Sequence, residues 1–266
     1  MKKITIIGGD TRLIKVKSKL EQSGYQVDSL GLIENDTAEL STSRVIVLPV
    51  PTTKDGIYVN APLTNKKISL EFIEENINND QLILSCNYLF SKRKCIDYNS
   101  LDSYALLNSV PTAEGAIKIA IENTPFTLWK SKVLVIGYGR VGRVLAHRLR
   151  ALGSYVTVSA RKTADFAATE AFGYESIDTG NINSSPLDYD IIFNTVDAEV
   201  INRESLKNTR CRCMIDLSSK GGFDLRIAKE SGITAIKAPG LPGIVAPKTA
   251  GEILAKTILD LINLYV

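Results

Sequence analysis

The segment Gly137-Tyr138-Gly139-Arg140-Val141-Gly142 follows five strand-forming residues, Lys132-Val133-Leu134-Val135-Ile136, and opens a stretch of helical periodicity. Glycines at this spacing say little alone, but between a strand and a helix they are what a dinucleotide-binding turn requires. Gly137 permits the tight turn, Gly139 lets the backbone approach a pyrophosphate, and Gly142 lets the helix pack close to the strand. Free N–H groups and the positive end of the helix dipole then meet the phosphates. Val141, Leu145, Leu149 and Leu152 share one stripe of that helix, and Gly153 ends it. Tyr138, Arg140 and Val141 are expected beside the cofactor with the three glycines. A turn that uses its glycines for packing alone is the competing explanation.

Around this motif, short β-branched runs alternate with longer helical stretches, the pattern of parallel sheets. The strands read as Ile4–Ile7, Arg44–Leu48 and Gln81–Leu84 in the first half. In the second half they are Lys132–Ile136, Tyr155–Ser159, Ile191–Asn194 and Cys213–Leu217. Helices are expected over Leu13–Ser23, Leu70–Asn76, Pro111–Asn123 and Lys248–Leu264. The 266 residues, 44% hydrophobic, suffice for two modest cores. The expected fold is α/β, with two doubly wound parallel-sheet domains, the second a Rossmann domain. The expected division is a substrate domain of residues 1–124 with a returning helix in 246–266, and a cofactor domain of 125–245.

Lys and Arg number 32 against 29 Asp and Glu, and no basic block concentrates the small excess, so the footprint of a nucleic-acid binder is missing. The apolar run after Lys2-Lys3 stops at Gly8, far short of a signal peptide, and no stretch approaches the ~20 apolar residues of a membrane span. A cytoplasmic protein is expected, with reduced thiols. Cys86, Cys95, Cys211 and Cys213 contain no CxxC pair, and the last two sit beside an apparent buried strand, so they read as small hydrophobes. No metal site is expected. The single histidine, His147, lies about 200° around its helix from Leu145 and should face away from the buried stripe. That removes a histidine base, and with it hydroxy-acid dehydrogenases and hydrolases that depend on one.

The strand after the glycine loop bears on which nicotinamide cofactor binds. An NAD site usually carries an acid there for the ribose 2′-OH. Ser159 stands in that place, followed by Ala160-Arg161-Lys162, and a hydroxyl with two cations suits a 2′-phosphate. A solvated basic turn would look the same. NADP is the expected cofactor, read by Ser159, Arg161 and Lys162. Asn194-Thr195 and Leu217-Ser218 follow later strands and are expected on the nicotinamide–ribose side. Gly8-Gly9-Asp10 lacks a third spaced glycine and reads as a strand-end turn.

Three further segments carry a resemblance: Gly8-Gly9-Asp10-Thr11-Arg12, Asn108-Ser109-Val110-Pro111-Thr112-Ala113-Glu114-Gly115, and the long run Ala238-Pro239-Gly240-Leu241-Pro242-Gly243-Ile244-Val245-Ala246-Pro247-Lys248-Thr249-Ala250-Gly251. Together they resemble the A-subunit family of dipicolinate synthase over nearly the whole chain. Two departures stand out: the loop Asp216–Gly222 is one residue shorter than the family's usual loop, and Cys86 stands where a glycine is expected. The resemblance implies an architecture like formate and glycerate dehydrogenases. It also implies NADP-linked oxidation of dihydrodipicolinate to dipicolinate in the mother cell of a sporulating bacterium. The partner it implies is the flavoprotein-like B-subunit of dipicolinate synthase. A homo-oligomer is expected. A non-catalytic, cofactor-binding scaffold for that partner remains the alternative.

Such a substrate is a dianion and needs cations, hydroxyls or helix N-termini. Lys248 opens the last helix, where the dipole disfavours a cation by a few tenths to ~1 kcal/mol, so an anionic ligand would account for it. A solvated Lys248 paired with Glu252 is the plain explanation. Pro247-Lys248 is expected near the domain junction, with Thr249 adding a hydroxyl. Arg12, Thr52, Thr53, Ser85 and Asn87 come from strand ends, where open α/β sheets place ligands. Lys248, Glu114 and Asn87 are the catalytic candidates, although Glu114 also fits a first turn that simply welcomes an acid.

Overall fold

A computed structural model describes residues 2–91 and 94–266. The chain divides into two compact units, Met1–Asn108 with Ala246–Val266, and Ser109–Val245. In the first unit the elements are β1 (Lys3–Ile7), α1 (Thr11–Gln22), β2 (Gln26–Leu30), β3 (Val45–Val47), α2 (Leu70–Asn76), β4 (Leu82–Ser85) and β5 (Cys95–Asp97). Helix α3 (Asp102–Glu122) contains the division between the units. The second unit holds β6 (Lys132–Ile136), α4 (Arg140–Ala151), β7 (Tyr155–Ala160), α5 (Thr163–Ala171), β8 (Glu175–Asp178), β9 (Ile191–Asn194), α6 (Arg203–Asn208), β10 (Cys213–Asp216), α7 (Leu225–Glu230), β11 (Thr234–Lys237) and α8 (Leu241–Val245). Helix α9 (Pro247–Tyr265) returns to the first.

The first sheet runs β2-β1-β3-β4-β5 with every pairing parallel. Its order reverses at β1 and β3, which makes the turns after those strands the place where a doubly wound sheet opens to a ligand. Asp10 caps α1, its carboxylate accepting from the Arg12 N–H at 3.0 Å. Leu13, Val16 and Leu20 of α1 join Leu254, Ile258, Leu261 and Ile262 of α9 in one buried cluster with the sheet. Fully burying each such side chain is worth ~1.5–3 kcal/mol. Gly251 sets the closest approach, because a Cβ there would stand 2.8 Å from the Arg12 carbonyl oxygen and 2.8 Å from Lys15 Cβ.

In the second unit the order is β11-β10-β9-β6-β7-β8, again all parallel. Counted from β6, this is the Rossmann order 3-2-1-4-5-6, with its switch point between β6 and β9. Alternate residues enter two cores, Val133, Val135 and Phe193 on one face, Leu134, Ile136 and Ile192 on the other. Burial on both faces is why these strands read as continuous apolar runs.

Helix α3 departs from expectation. Pro111 is favoured at a helix start, yet the helix begins at Asp102 and runs through it. Tyr104 is buried in the first unit's core, and Ala113, Ala116 and Ala120 in the second's. That packing outweighs the one backbone donor a proline lacks. The units therefore part at Asn108–Ser109, whereas the sequence pattern puts the division at 124/125, after this helix. The four cysteines are free. Burial pushes the Cys86 and Cys211 thiols up to about 12 and Cys213 to about 11, as expected of inert core residues. Among the described residues, no three His, Cys, Asp or Glu gather as metal ligands, and no helix is long and apolar enough to cross a membrane.

Candidate functional site

The glycine loop joins β6 to α4 at the switch point, and its three glycines have different reasons to be glycine. Gly137 adopts φ +93°, and a Cβ would lie 2.7 Å from both Thr195 Oγ1 and Val196 Cγ2. A Cβ on Gly142 would lie 2.0 Å from the Gly137 carbonyl oxygen. Those two serve the protein's own packing. Gly139 has an ordinary φ of −77°, and no protein atom stands within 4 Å of where its Cβ would be. It caps α4 without a side-chain bond, and the first turn of α4 holds no acid. Open room beside a bare helix N-terminus fits a pyrophosphate.

A cavity of about 450 Å³ surrounds the loop and reaches the end of β7. Gly137, Tyr138, Gly139, Arg140 and Val141 line it, as do Ser159, Arg161, Lys162 and Thr195. The structure therefore gathers nine of the thirteen cofactor candidates. Two of these nine need correction in detail. Ser159 is fully buried, and its hydroxyl is engaged by Thr179 Oγ1 at 2.8 Å, because β7 runs one residue further than expected, to Ala160. Thr195 Oγ1 likewise donates to the Ile136 carbonyl at 2.8 Å. Arg161 and Lys162 are exposed on the cavity's edge. Sequence reading missed Arg143, Asp165 and Thr179, which also line the cavity. Arg143 was detectable, three residues beyond Arg140 and on the same side of α4.

The other four candidates are not among the lining residues. Gly142 is buried beneath the loop, and Leu217 packs on the core. Asn194 and Ser218 belong to a buried polar cluster around Asp216, a residue with no exposed surface. Asn194 Nδ2 donates to Asp216 Oδ1 at 2.8 Å, Ser218 Oγ to Oδ1 at 2.6 Å, and Lys237 Nζ to Oδ2 at 2.8 Å. Burial alone would raise the Asp216 carboxyl, but the bonds from Lys237, Ser218 and Asn194 outweigh it and hold it below the ordinary 3.8. These residues tie together the ends of β9, β10 and β11.

The first unit's candidates surround the ends of β1, β3 and β4. Arg12, 7% exposed, holds Asp10 through Nε and Nη2, with Nη2 2.8 Å from Oδ2, and donates to the Val50 carbonyl at 2.6 Å. Burial lowers its pKa, but the bonded Asp10 more than restores it. Thr52 is buried, its Oγ1 accepting from the Cys86 N–H at 2.8 Å. The Ser85 hydroxyl donates to the Tyr88 carbonyl. Thr53 shapes an exposed turn, accepting from the Gly56 N–H at 2.9 Å. These hydroxyls all bond within the protein. Asn87 is exposed at φ +56° and accepts from Asn99 Nδ2 at 2.8 Å. Lys248 and Thr249 are exposed at the start of α9. Glu252 pairs with Lys15 at 3.4 Å instead of with Lys248. Glu114, in the second unit, meets Arg148 at 3.3 Å beside Ile117 and Ile121, and it is absent from the lining of the glycine-loop cavity.

Two parallel-sheet units, one with a glycine loop at a Rossmann switch point, define a dehydrogenase-like fold. The NAD-dependent formate dehydrogenase of Staphylococcus aureus, solved in complex with NAD, shares this fold at a TM-score of 0.55 and 12% identity, over 98% of this chain and 95% of that one. The chain belongs to the A-subunit family of dipicolinate synthase. It is 34% identical to the dipicolinate synthase A-subunit of Bacillus subtilis (strain 168) over 98% of this chain and 95% of that protein. The crystal structure of the dipicolinate synthase A-subunit from Bacillus halodurans matches at a TM-score of 0.88 and 34% identity, covering 98% and 97% of the two chains. Residues 3–106 match the family model for the N-terminal domain of the dipicolinate synthase A-subunit.

Proposed function

We propose that the protein oxidises dihydrodipicolinate to dipicolinate with NADP, in the mother-cell cytoplasm of a sporulating bacterium. Family membership supports the substrate. The observation that carries the cofactor half is the open Gly139 N-terminus with Arg161 and Lys162, and no carboxylate, directly after β7. Gly139 and the start of α4 would hold the pyrophosphate, and Arg161 and Lys162 the 2′-phosphate. The bound cofactor would supply a hydride acceptor, so that loss of hydride from a ring carbon and of one proton would leave the aromatic product. Aromatisation supplies driving force, so positioning matters more than a strong base. Arg12 and Lys248 are the cations offered to the two carboxylates. Thr52 and Ser85 act by shaping the turns, and Glu114 is engaged by Arg148.

The relative's name designates one subunit of an assembly, and the flavoprotein-like B-subunit is the proposed partner of a homo-oligomer. A second reading, a cofactor-binding scaffold for that partner, is favoured by one observation: His147 is exposed on α4 and absent from the cavity lining. Equilibrium titration of the purified protein with NADP and NAD tests the cofactor half. NADP should bind at least tenfold more tightly, and replacing both Arg161 and Lys162 with Ala should erase the difference. Equal affinities in the native protein would overturn the assignment.

A further inference from the structure

Arg143 and Asp165 are a charge pair that neither the glycine motif nor the strand-end cations account for. Both line the glycine-loop cavity. Arg143 Nη2 donates to Asp165 Oδ1 at 2.8 Å and Nε to the Tyr138 carbonyl at 2.9 Å, while its guanidinium lies 5.1 Å from the Tyr138 ring centroid. Three contacts from two elements hold one side chain in one place. Asp165 sits in the first turn of α5, where the helix dipole favours an acid, and only 18% of its side chain is exposed.

The chemistry of the pair is asymmetric. A lone carboxylate in a dinucleotide cavity accepts bonds from ribose hydroxyls and repels a 2′-phosphate. Asp165 would be such a carboxylate without Arg143, three residues beyond Lys162 and lining the same cavity. With Arg143 bound to it, its charge is cancelled and the field at the end of β7 is left to Arg161 and Lys162. We infer that Arg143 masks Asp165, and that this masking preserves the discrimination between NADP and NAD that Arg161 and Lys162 provide. This rests on the cofactor reading above, since it concerns which nicotinamide dinucleotide the same cavity prefers.

The pair makes opposite predictions for its two halves. Arg143→Met uncovers the carboxylate and should weaken NADP at least tenfold, with NAD changed less than threefold. Asp165→Asn removes the acid and should leave NADP bound at least as tightly as in the native protein. The double variant should return the NADP-to-NAD ratio to within threefold of native, because nothing is left to mask. Equilibrium titration with each dinucleotide reads all three, and thermal melting of each apo variant reports its folding. An unchanged ratio in Arg143→Met, or a ratio still shifted in the double variant, overturns the inference while the cofactor reading stands. A native protein that binds neither dinucleotide overturns both.

Discussion

Lys248 is a cation at the wrong end of a helix dipole, and the expected partner Glu252 is taken by Lys15. Exposed and held by no ion pair among the described residues, it is free to receive a carboxylate. An ion pair formed at such an exposed position is worth up to ~1 kcal/mol. Lys248→Ala should therefore raise KM for dihydrodipicolinate about threefold to fivefold, leaving NADP affinity and Tm nearly unchanged; a native KM would return it to a plain helix-start role. Asp216 is the reverse case, a buried acid fully engaged. Lys237→Met should cost ~3–5 kcal/mol at neutral pH, because an unpaired charge stays buried, measurable by urea unfolding. The folded carboxyl lies below 3.8, so its contribution is present above that pH and is lost as pH falls through the lower, folded value. Asp216→Asn should accordingly remove part of the acid dependence of stability below about pH 4, and an unaltered acid limb would contradict the assignment. The strand ends were legible in sequence, but the partners of their hydroxyls were not. Thr52, Ser85 and Ser159 look like ligand groups until their bonds to Cys86, Tyr88 and Thr179, made by residues distant in the chain or in a turn, are known.

At the scale of elements, β6 and α4 were readable because each carries a strict period and the glycines fix the join. The strands that escaped, β2, β5, β8 and β11, are short or at sheet edges, with polar residues such as Asp28 and Glu175 interrupting the apolar pattern. Helix α3 escaped in part because Pro111 looks like a start, while the buried Tyr104 that extends it backward acts through tertiary packing. The glycine loop itself offers a paired test. Gly142→Ala forces a Cβ to 2.0 Å from the Gly137 oxygen and should lower Tm and abolish dinucleotide binding together. Gly139→Ala meets no protein atom, so its stability cost should stay within about 1 kcal/mol while NADP affinity falls at least tenfold. Melting curves and titrations of both variants check this; equal behaviour of the two would mean that Gly139 is also there for packing.

For the whole molecule, the order of strands carries what local pattern did not. The sequence indicated two parallel sheets, and the structure gives the first a 2-1-3-4-5 order and the second a 3-2-1-4-5-6 order, each with its own switch point. Arg12, Thr52 and the glycine loop fall at those points because doubly wound sheets open there. The chemistry is tested most directly by mixing the purified protein with NADP and freshly made dihydrodipicolinate, without any partner protein, and following NADPH absorbance and dipicolinate together. The account predicts one NADPH formed for each dipicolinate, at a rate proportional to protein concentration. Dipicolinate that appears without NADPH, or no turnover until a partner protein is added, would contradict it.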